Sequence, residues 1–492
     1  FAGQYTFDEQ PDFSKIYQDQ YDMTSHQSGM FNTSYGPIIA QRPVVGEFVA
    51  PLKTYNFYSS IERKRFSMKV LHHYAAVPTS TTLKPDNAVY NKDVFYGQGV
   101  TTASTNYTVD VGRVKSTSIL VGSFYSVNPK SNYRNLYGGM AHGYKYSNGS
   151  MMKVEEQLSC SFSKQLNVIG GITYEIFQSV PKTPELQNPV SKNGVLRGIL
   201  LNSISPNNPE GIEARFFPLT YRNGGAYLQT QYFPIDKLSF TAGVRYDNNS
   251  RFGSTVNPRV GSVFHPFENT TVKALYGTAF WAPSPMVSFE SYGSFYTVDS
   301  GTTYQSAFWH LPNPDLKPMT SRTFELSLQQ RVGKNLNITV TGYTTQIENV
   351  IENVSDNGNT NLYNNKFLGW NVSYIEVPIN QGTQKNYGGS ILANCTFKVG
   401  GAEFMAYTSV SYLEGVQSKF ESSEGEVEQA GMTPWQFRLG MDGKLRGFHF
   451  SARLLRAGKQ RTAMLRTDNP GTRQTIDGYA LLNMSAGYSI NS

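Results

Sequence analysis

The sequence predicts an all-β protein, a transmembrane antiparallel β-barrel of the large, roughly 22-strand outer-membrane type. Three observations carry the prediction. Short segments alternate apolar and polar residues with a period of two. The connections between them alternate short and long. No apolar run reaches the roughly 18 residues that a membrane-crossing helix needs. Of the 492 residues only 16% are charged, while Tyr and Phe number 32 and 30, and the mean hydropathy is −0.40. A barrel reconciles low hydropathy with many aromatic residues, because its strands hide their apolar half in the alternation. An extracellular β-sandwich array shares this composition but has no reason to sort its loop lengths by end.

The pattern is clearest in residues 227–284. LSFTAGVRYD sets Leu238, Phe240, Ala242, Val244 and Tyr246 against Ser239, Thr241, Gly243, Arg245 and Asp247. Period two places the first set on one strand face, suited to lipid, and the second on the other, suited to water. The flanking segments AYLQTQYF, NPRVGSVF and TVKALYGTAFW repeat it, with short turns expected at 234–237 and 266–270 and a polar loop before NPRVGSVF. Residues 1–56 are Tyr- and Gln-rich and weakly patterned, consistent with early barrel strands and a loop; 57–492 read as barrel. IERKRFSMKV turns at 63–64 and returns with Phe66, Met68 and Val70 on one face. Further strand pairs meet at 112–115, 164–165, 333–335, 400–401 and 444–446, and YALLNMSAGYSI is the last strand. Turns of roughly 2–6 residues are thus expected at one end and loops of roughly 10–45 at the other. The tally of about 17 or 18 strands falls short of 22. The chain opens at Phe1 without a secretory signal and stops at Ser492 as a strand nears its turn. Pieces are therefore expected beyond both ends, because unpaired strand edges in lipid are costly.

Composition excludes several function classes. The net charge of +7 comes with no basic run denser than Arg63-Lys64-Arg65, so nucleic-acid binding is not expected. Two cysteines, Cys160 and Cys395, argue against a disulfide scaffold and a Cys zinc site. The seven histidines are scattered; His72 and His73 are adjacent, so in a strand they point to opposite faces. No metal site is expected. HExxH, GxSxG and GxxxxGK[ST] are absent from the sequence, and an enzyme is not expected.

The succession AYLQTQYFP, TAGVRYD, PRVG, AFWAPS, NPDLKP, FELSL, VTGYTTQIENVI and NYGGSILANCTF resembles the barrel signatures of TonB-dependent outer-membrane transporters. The resemblance covers most of 55–490 and is strongest over 225–413. It implies a 22-stranded barrel in a Gram-negative outer membrane, coupling to the TonB energy-transducing complex, and energised uptake of a scarce bulky nutrient such as an iron chelate, siderophore, haem or cobalamin. The sequence departs from the family pattern in several places. No plug domain is recognised before the barrel, Trp281 stands where the family usually has Arg, and Met319 where it usually has Glu. The alternatives are a passive porin and a barrel that serves as a non-transport component of a larger outer-membrane assembly, binding partner proteins.

Two groups of candidate residues follow. Arg245, Glu325, Arg438 and Arg453 alternate with apolar neighbours and are expected to face the lumen. The segment 285–316 is expected to be an outer loop and carries Tyr292, Phe295, Tyr296, Tyr304, Phe308, Trp309 and His310, candidates for ligand contact, since exposed aromatic patches usually serve a partner. His310 lies between the boxes Phe280-Trp281-Ala282-Pro283 and Asn313-Pro314-Asp315-Leu316. Haem receptors of the TonB-dependent class resemble this arrangement, and neutral imidazole is a suitable axial ligand, so haem as cargo is one implied option. Tyr246, Tyr276, Trp435 and Tyr488 are expected in the interfacial aromatic girdles.

Overall fold

The computed structural model describes residues 1–492 apart from 11, 17, 21–23, 34–35, 40–48, 83–87, 136–140, 184, 187, 191–198, 202–211, 215–217, 294–295, 298–303, 357–362, 419–424, 470 and 491–492. The wall strands, in chain order, are β1 (Ala2–Asp8), β2 (Leu52–Arg63), β3 (Phe66–Pro78), β4 (Phe95–Val111), β5 (Val114–Val127) and β6 (Asn148–Ser161). They continue with β7 (Leu166–Val180), β8 (Leu219–Ile235), β9 (Leu238–Asn249), β10 (Gly253–Phe264), β11 (Thr270–Trp281) and β12 (Met319–Val332). The last are β13 (Leu336–Ser355), β14 (Trp370–Val399), β15 (Ala402–Ser418), β16 (Trp435–Leu445), β17 (Phe448–Ala457) and β18 (Tyr479–Tyr488). Each pairs antiparallel with its chain neighbour, from Ala2 opposite Tyr58 to Ala457 opposite Tyr479. With short strands of the loops they form one 23-stranded sheet.

The alternation in β9 decides its faces. Phe240, Ala242, Val244 and Tyr246 are exposed, while Thr241, Gly243 and Arg245 are partly covered and Asp247 is buried. Register carries the apolar face across the wall. Tyr276 pairs with Phe324, Ala274 with Leu326 and Val272 with Leu328. The girdle candidates Tyr246, Tyr276, Trp435 and Tyr488 are all large, exposed residues of wall strands. In a barrel whose outside meets lipid, exposed apolar side chains are what the solvent demands.

The short connections are 64–65, 112–113, 162–165, 236–237, 265–269, 333–335, 400–401 and 446–447. Antiparallel pairing puts them all at one end. Gly333 and Gly400 take φ of 62° and 57°, the left-handed conformation such tight hairpins require. The first turn sits at 64–65, one residue later than expected. The opposite end carries 9–51, 79–94, 128–147, 181–218, 282–318, 356–369, 419–434 and 458–478. One connection there corrects the expected pattern: β9 and β10 are joined by residues 250–252 alone. The polar stretch read as a loop is ladder instead, Asp247 pairing with Thr255 and Asn249 with Gly253. Residues 1–56 contribute β1, a long connection and the start of β2.

Candidate functional site

On the polar face of the wall, β6 to β9 converge on one charged cluster. Arg245 grips Asp247 with two hydrogen bonds of 2.7 Å, and Asp247 is 2% exposed. The Arg245 guanidinium lies 5.8 Å from the centroid of the Tyr227 ring. The Tyr227 hydroxyl donates to Glu155 at 2.8 Å and Gln157 at 3.1 Å, and Lys153 pairs with Glu155 at 2.7 Å. Gly225 makes room: a Cβ there would meet Asp247 Oδ1 and Thr173 Oγ1 at 2.7 Å. Of this cluster the sequence singled out Arg245 alone. The signal for its partners was present in part, since Lys153 and Glu155 alternate with Met152 and Val154, but Glu156 interrupts the pattern before Gln157 and Leu158.

The other expected polar-face residues have separate partners. Arg453 makes two hydrogen bonds of 2.8 Å to Asp442 and covers the Tyr407 ring at 5.5 Å. Arg438 donates to Gln436 at 2.9 Å, in the same strand as Asp442 and on the same face. Glu325 stands opposite Leu275 and Tyr343 in register. The four residues share the polar face but not one site.

The loop end holds a second constellation. β14 is 30 residues long, where about 9–11 suffice to cross a membrane, and its first part serves as a platform for the 282–318 connection. Tyr304–His310 pairs parallel with it, Trp309 opposite Ile375 and His310 opposite Glu376. Trp309, Leu311, Val372, Ile375 and Val377 form a buried cluster with Tyr363, Phe367 and Trp370 against it. Trp309 is thus fully buried. His310, 6% exposed, shares a 2.8 Å hydrogen bond with Glu376 through Nδ1 and stacks on Tyr292, with 4.8 Å between centroids. Phe308 stacks on Tyr374. Tyr296 and Tyr304 lie in short strands, their side chains outside the described set; Phe295 lies outside the described residues.

Tyr292 is also where separate loops meet. The Lys145 ammonium lies 5.9 Å from its ring centroid, and burial, opposed by Glu185, lowers that ammonium to about 8. Burial, reinforced by the Glu376 and Glu290 carboxylates, pushes the Tyr292 phenol up to about 12. Glu290 in turn pairs with Lys182 at 2.9 Å, whose ammonium lies over the Tyr96 and Tyr133 rings. Although burial opposes it, Glu290 holds Lys182 above its usual range. Aromatic faces and mostly paired charges therefore tie together the connections 128–147, 181–218 and 282–318. The two departures from the family motifs also meet: Trp281 and Met319 are direct cross-strand partners.

Known proteins supply the context. The alignment to the vitamin B12 transporter of Photobacterium profundum is 28% identical over 130 residues, 26% of this chain and 18% of that protein. That to an iron-regulated outer membrane virulence protein of Vibrio cholerae is 29% identical over 129 residues, again 18% of the relative. The chain therefore aligns with under a fifth of these relatives' length. Among solved structures, a variant of the ferric enterobactin receptor of Pseudomonas aeruginosa superposes with TM-score 0.65 at 14% identity, covering 99% of this chain and 67% of that one. The FrpB iron transporter of Neisseria meningitidis gives 0.59 at 12%, covering 99% and 69%. Identities this low carry the fold alone. The family profile described as TonB dependent receptor-like, beta-barrel matches residues 4–492. The chain belongs to the TonB-dependent receptor β-barrel family, a class of receptors and transporters of the Gram-negative outer membrane rather than of enzymes.

Proposed function

We propose that this chain is the barrel of an outer-membrane importer that takes up a scarce, bulky nutrient, an iron chelate or cobalamin, with energy supplied through TonB. The observation that carries the reading is the tying together of three long connections through Tyr292 and Glu290, above a wall whose covered face is lined by Arg245, Glu155 and Tyr227. Large ligands are held by broad, preformed surfaces of aromatic and hydrogen-bonding groups, and the relatives named for vitamin B12 and iron support that cargo class. The buried ring of His310, tied to Glu376 and stacked on Tyr292, supports a loop-organising role for this residue rather than axial ligation of haem.

The test is uptake by a Gram-negative host that lacks its own receptors, offered labelled ferric siderophores, haem and cobalamin, with and without a working TonB. Accumulation of one cargo class only when TonB works is the expected result. Accumulation without TonB, together with open conductance in a planar bilayer, would favour a passive porin. No binding of any cargo would favour a non-transport role. A haem titration is run beside it, and a Soret shift abolished by His310→Ala would reassign His310 to the ligand.

A further inference from the structure

The short-turn end carries a charge pattern that uptake does not explain. Six of its turns place a cation in the turn itself: Lys64 (with Arg65 beside it), Arg113, Lys164, Lys237, Lys334 and Arg446. All six are exposed. Among all the short turns of this end the carboxylates are Asp236, beside Lys237, and Glu268, in the 265–269 turn. The ion pairs nearest the turns join Lys69 to Glu62 and Lys398 to Glu403, which leaves the six without an ion-pair partner among the described residues. The backbone adds an independent observation. Lys64 and Arg446 hold φ of 50° and 51°, whereas Gly112, Gly333 and Gly400 hold φ of 64°, 62° and 57° at the equivalent bends. A long side chain in the left-handed region costs conformational energy that glycine does not, so at two turns charge is kept where the backbone favours its loss. In or beside each of these six turns stands an exposed apolar residue, Phe66, Val111, Phe162, Ile235, Val332 or Leu445, between 41% and 66% exposed.

We propose that this end is a basic collar that binds anionic phospholipid headgroups of the adjoining leaflet. The apolar neighbour enters the acyl region while the Lys or Arg stem extends to the phosphate level. Spacing the cations around the rim, over six separate hairpins, suits many separate headgroups better than one compact acidic partner. The proposal rests on the reading of the apolar wall face as the lipid face.

The test reconstitutes the native protein in phosphatidylcholine vesicles and measures the association of spin-labelled phosphatidylglycerol relative to spin-labelled phosphatidylcholine. Insertion is scored first, by the shift in gel mobility between folded and heat-unfolded protein. Failure to insert overturns the lipid-facing reading and the proposal with it; insertion without lipid preference overturns the proposal alone. The expected result is a several-fold preference for phosphatidylglycerol at low salt that falls towards unity at about 1 M salt. The same loss is expected in K64Q/R113Q/K164Q/K237Q/K334Q/R446Q. The smaller variant K164Q/K237Q/K334Q, which leaves both left-handed positions untouched, is expected to lose part of the preference and covers a folding failure of the six-fold change. A preference that survives both salt and substitution overturns the assignment, as does binding of a soluble polyglutamate peptide without any lipid preference.

Discussion

Val244 and Thr241 are three residues apart on one strand, and their side chains meet different solvents. Lys at Val244 would put an ammonium on the apolar face and is expected to destabilise by about 2–4 kcal/mol near the bilayer midplane. Lys at Thr241 joins a polar face and is expected to be nearly silent. Urea unfolding of both variants in vesicles measures the difference, and equal costs would reverse the assignment of faces. These faces were legible because an unbroken period of two forces them. The partners across strands were not, and Trp281 shows why. Two departures from family motifs, 38 positions apart in sequence, turn out to be a single cross-strand pair, Trp281 opposite Met319. An apolar cross-strand pair here occupies the place of the Arg and Glu expected from the family resemblance. Trp281→Arg and Met319→Glu should each destabilise, and the double variant should recover about 0.2–1 kcal/mol relative to additivity, the range of a cross-strand pair. Purely additive effects in a double-mutant cycle would show that the two side chains are not coupled.

Among the elements, β9 and β10 were misjudged in length for a physical reason. Above the membrane a strand loses the apolar half of its alternation, so Asn248–Asn249 and Gly253–Val256 look like loop in sequence while the ladder continues through them. The pairing of Tyr304–His310 with β14 joins residues about 66 positions apart, beyond the reach of any local pattern, which is why a loop rich in aromatic residues read as exposed. Trp309 and His310 were legible as unusual residues; their burial was not. The clasp at Tyr292 yields a pH prediction. Lys145 has its folded pKa lowered from 10.5 to about 8 by burial, so the folded loops bind its proton less readily than the unfolded chain does. Stability of the clasp therefore rises with pH between about 8 and 10.5 and is flat below about 8. Tyr292, pushed up to about 12, acts in the opposite sense only above about 10, where an unfolded tyrosine begins to ionise. Protection of the 128–147 connection from a protease should thus increase from pH 7 to 9.5 in the native protein and stay level in Lys145→Met, which serves as the reference for the protease's own pH dependence. An identical rise in both proteins would remove Lys145 from the account.

For the whole molecule, the sorting of connections by end is what makes a barrel wall out of hairpins, and the 250–252 turn is its most informative member. By length it belongs with the short turns, but by strand order it lies with the long loops, because β9 and β10 follow the turn at 236–237. Topology and loop length therefore make opposite predictions for one residue. In a background with the two free cysteines replaced, Cys160→Ser and Cys395→Ser, single cysteines are placed at Ser250, Lys459, Lys164 and Lys334. A membrane-impermeant maleimide added to intact cells should label Ser250→Cys as readily as Lys459→Cys, which lies in the long 458–478 connection. Lys164→Cys and Lys334→Cys should react only after the outer membrane is opened. Labelling of Ser250→Cys together with the turn cysteines would place β9 and β10 upside down and break the register of the wall. Labelling with Lys459→Cys would fix the orientation of every strand, since antiparallel pairing leaves no freedom to invert one hairpin alone.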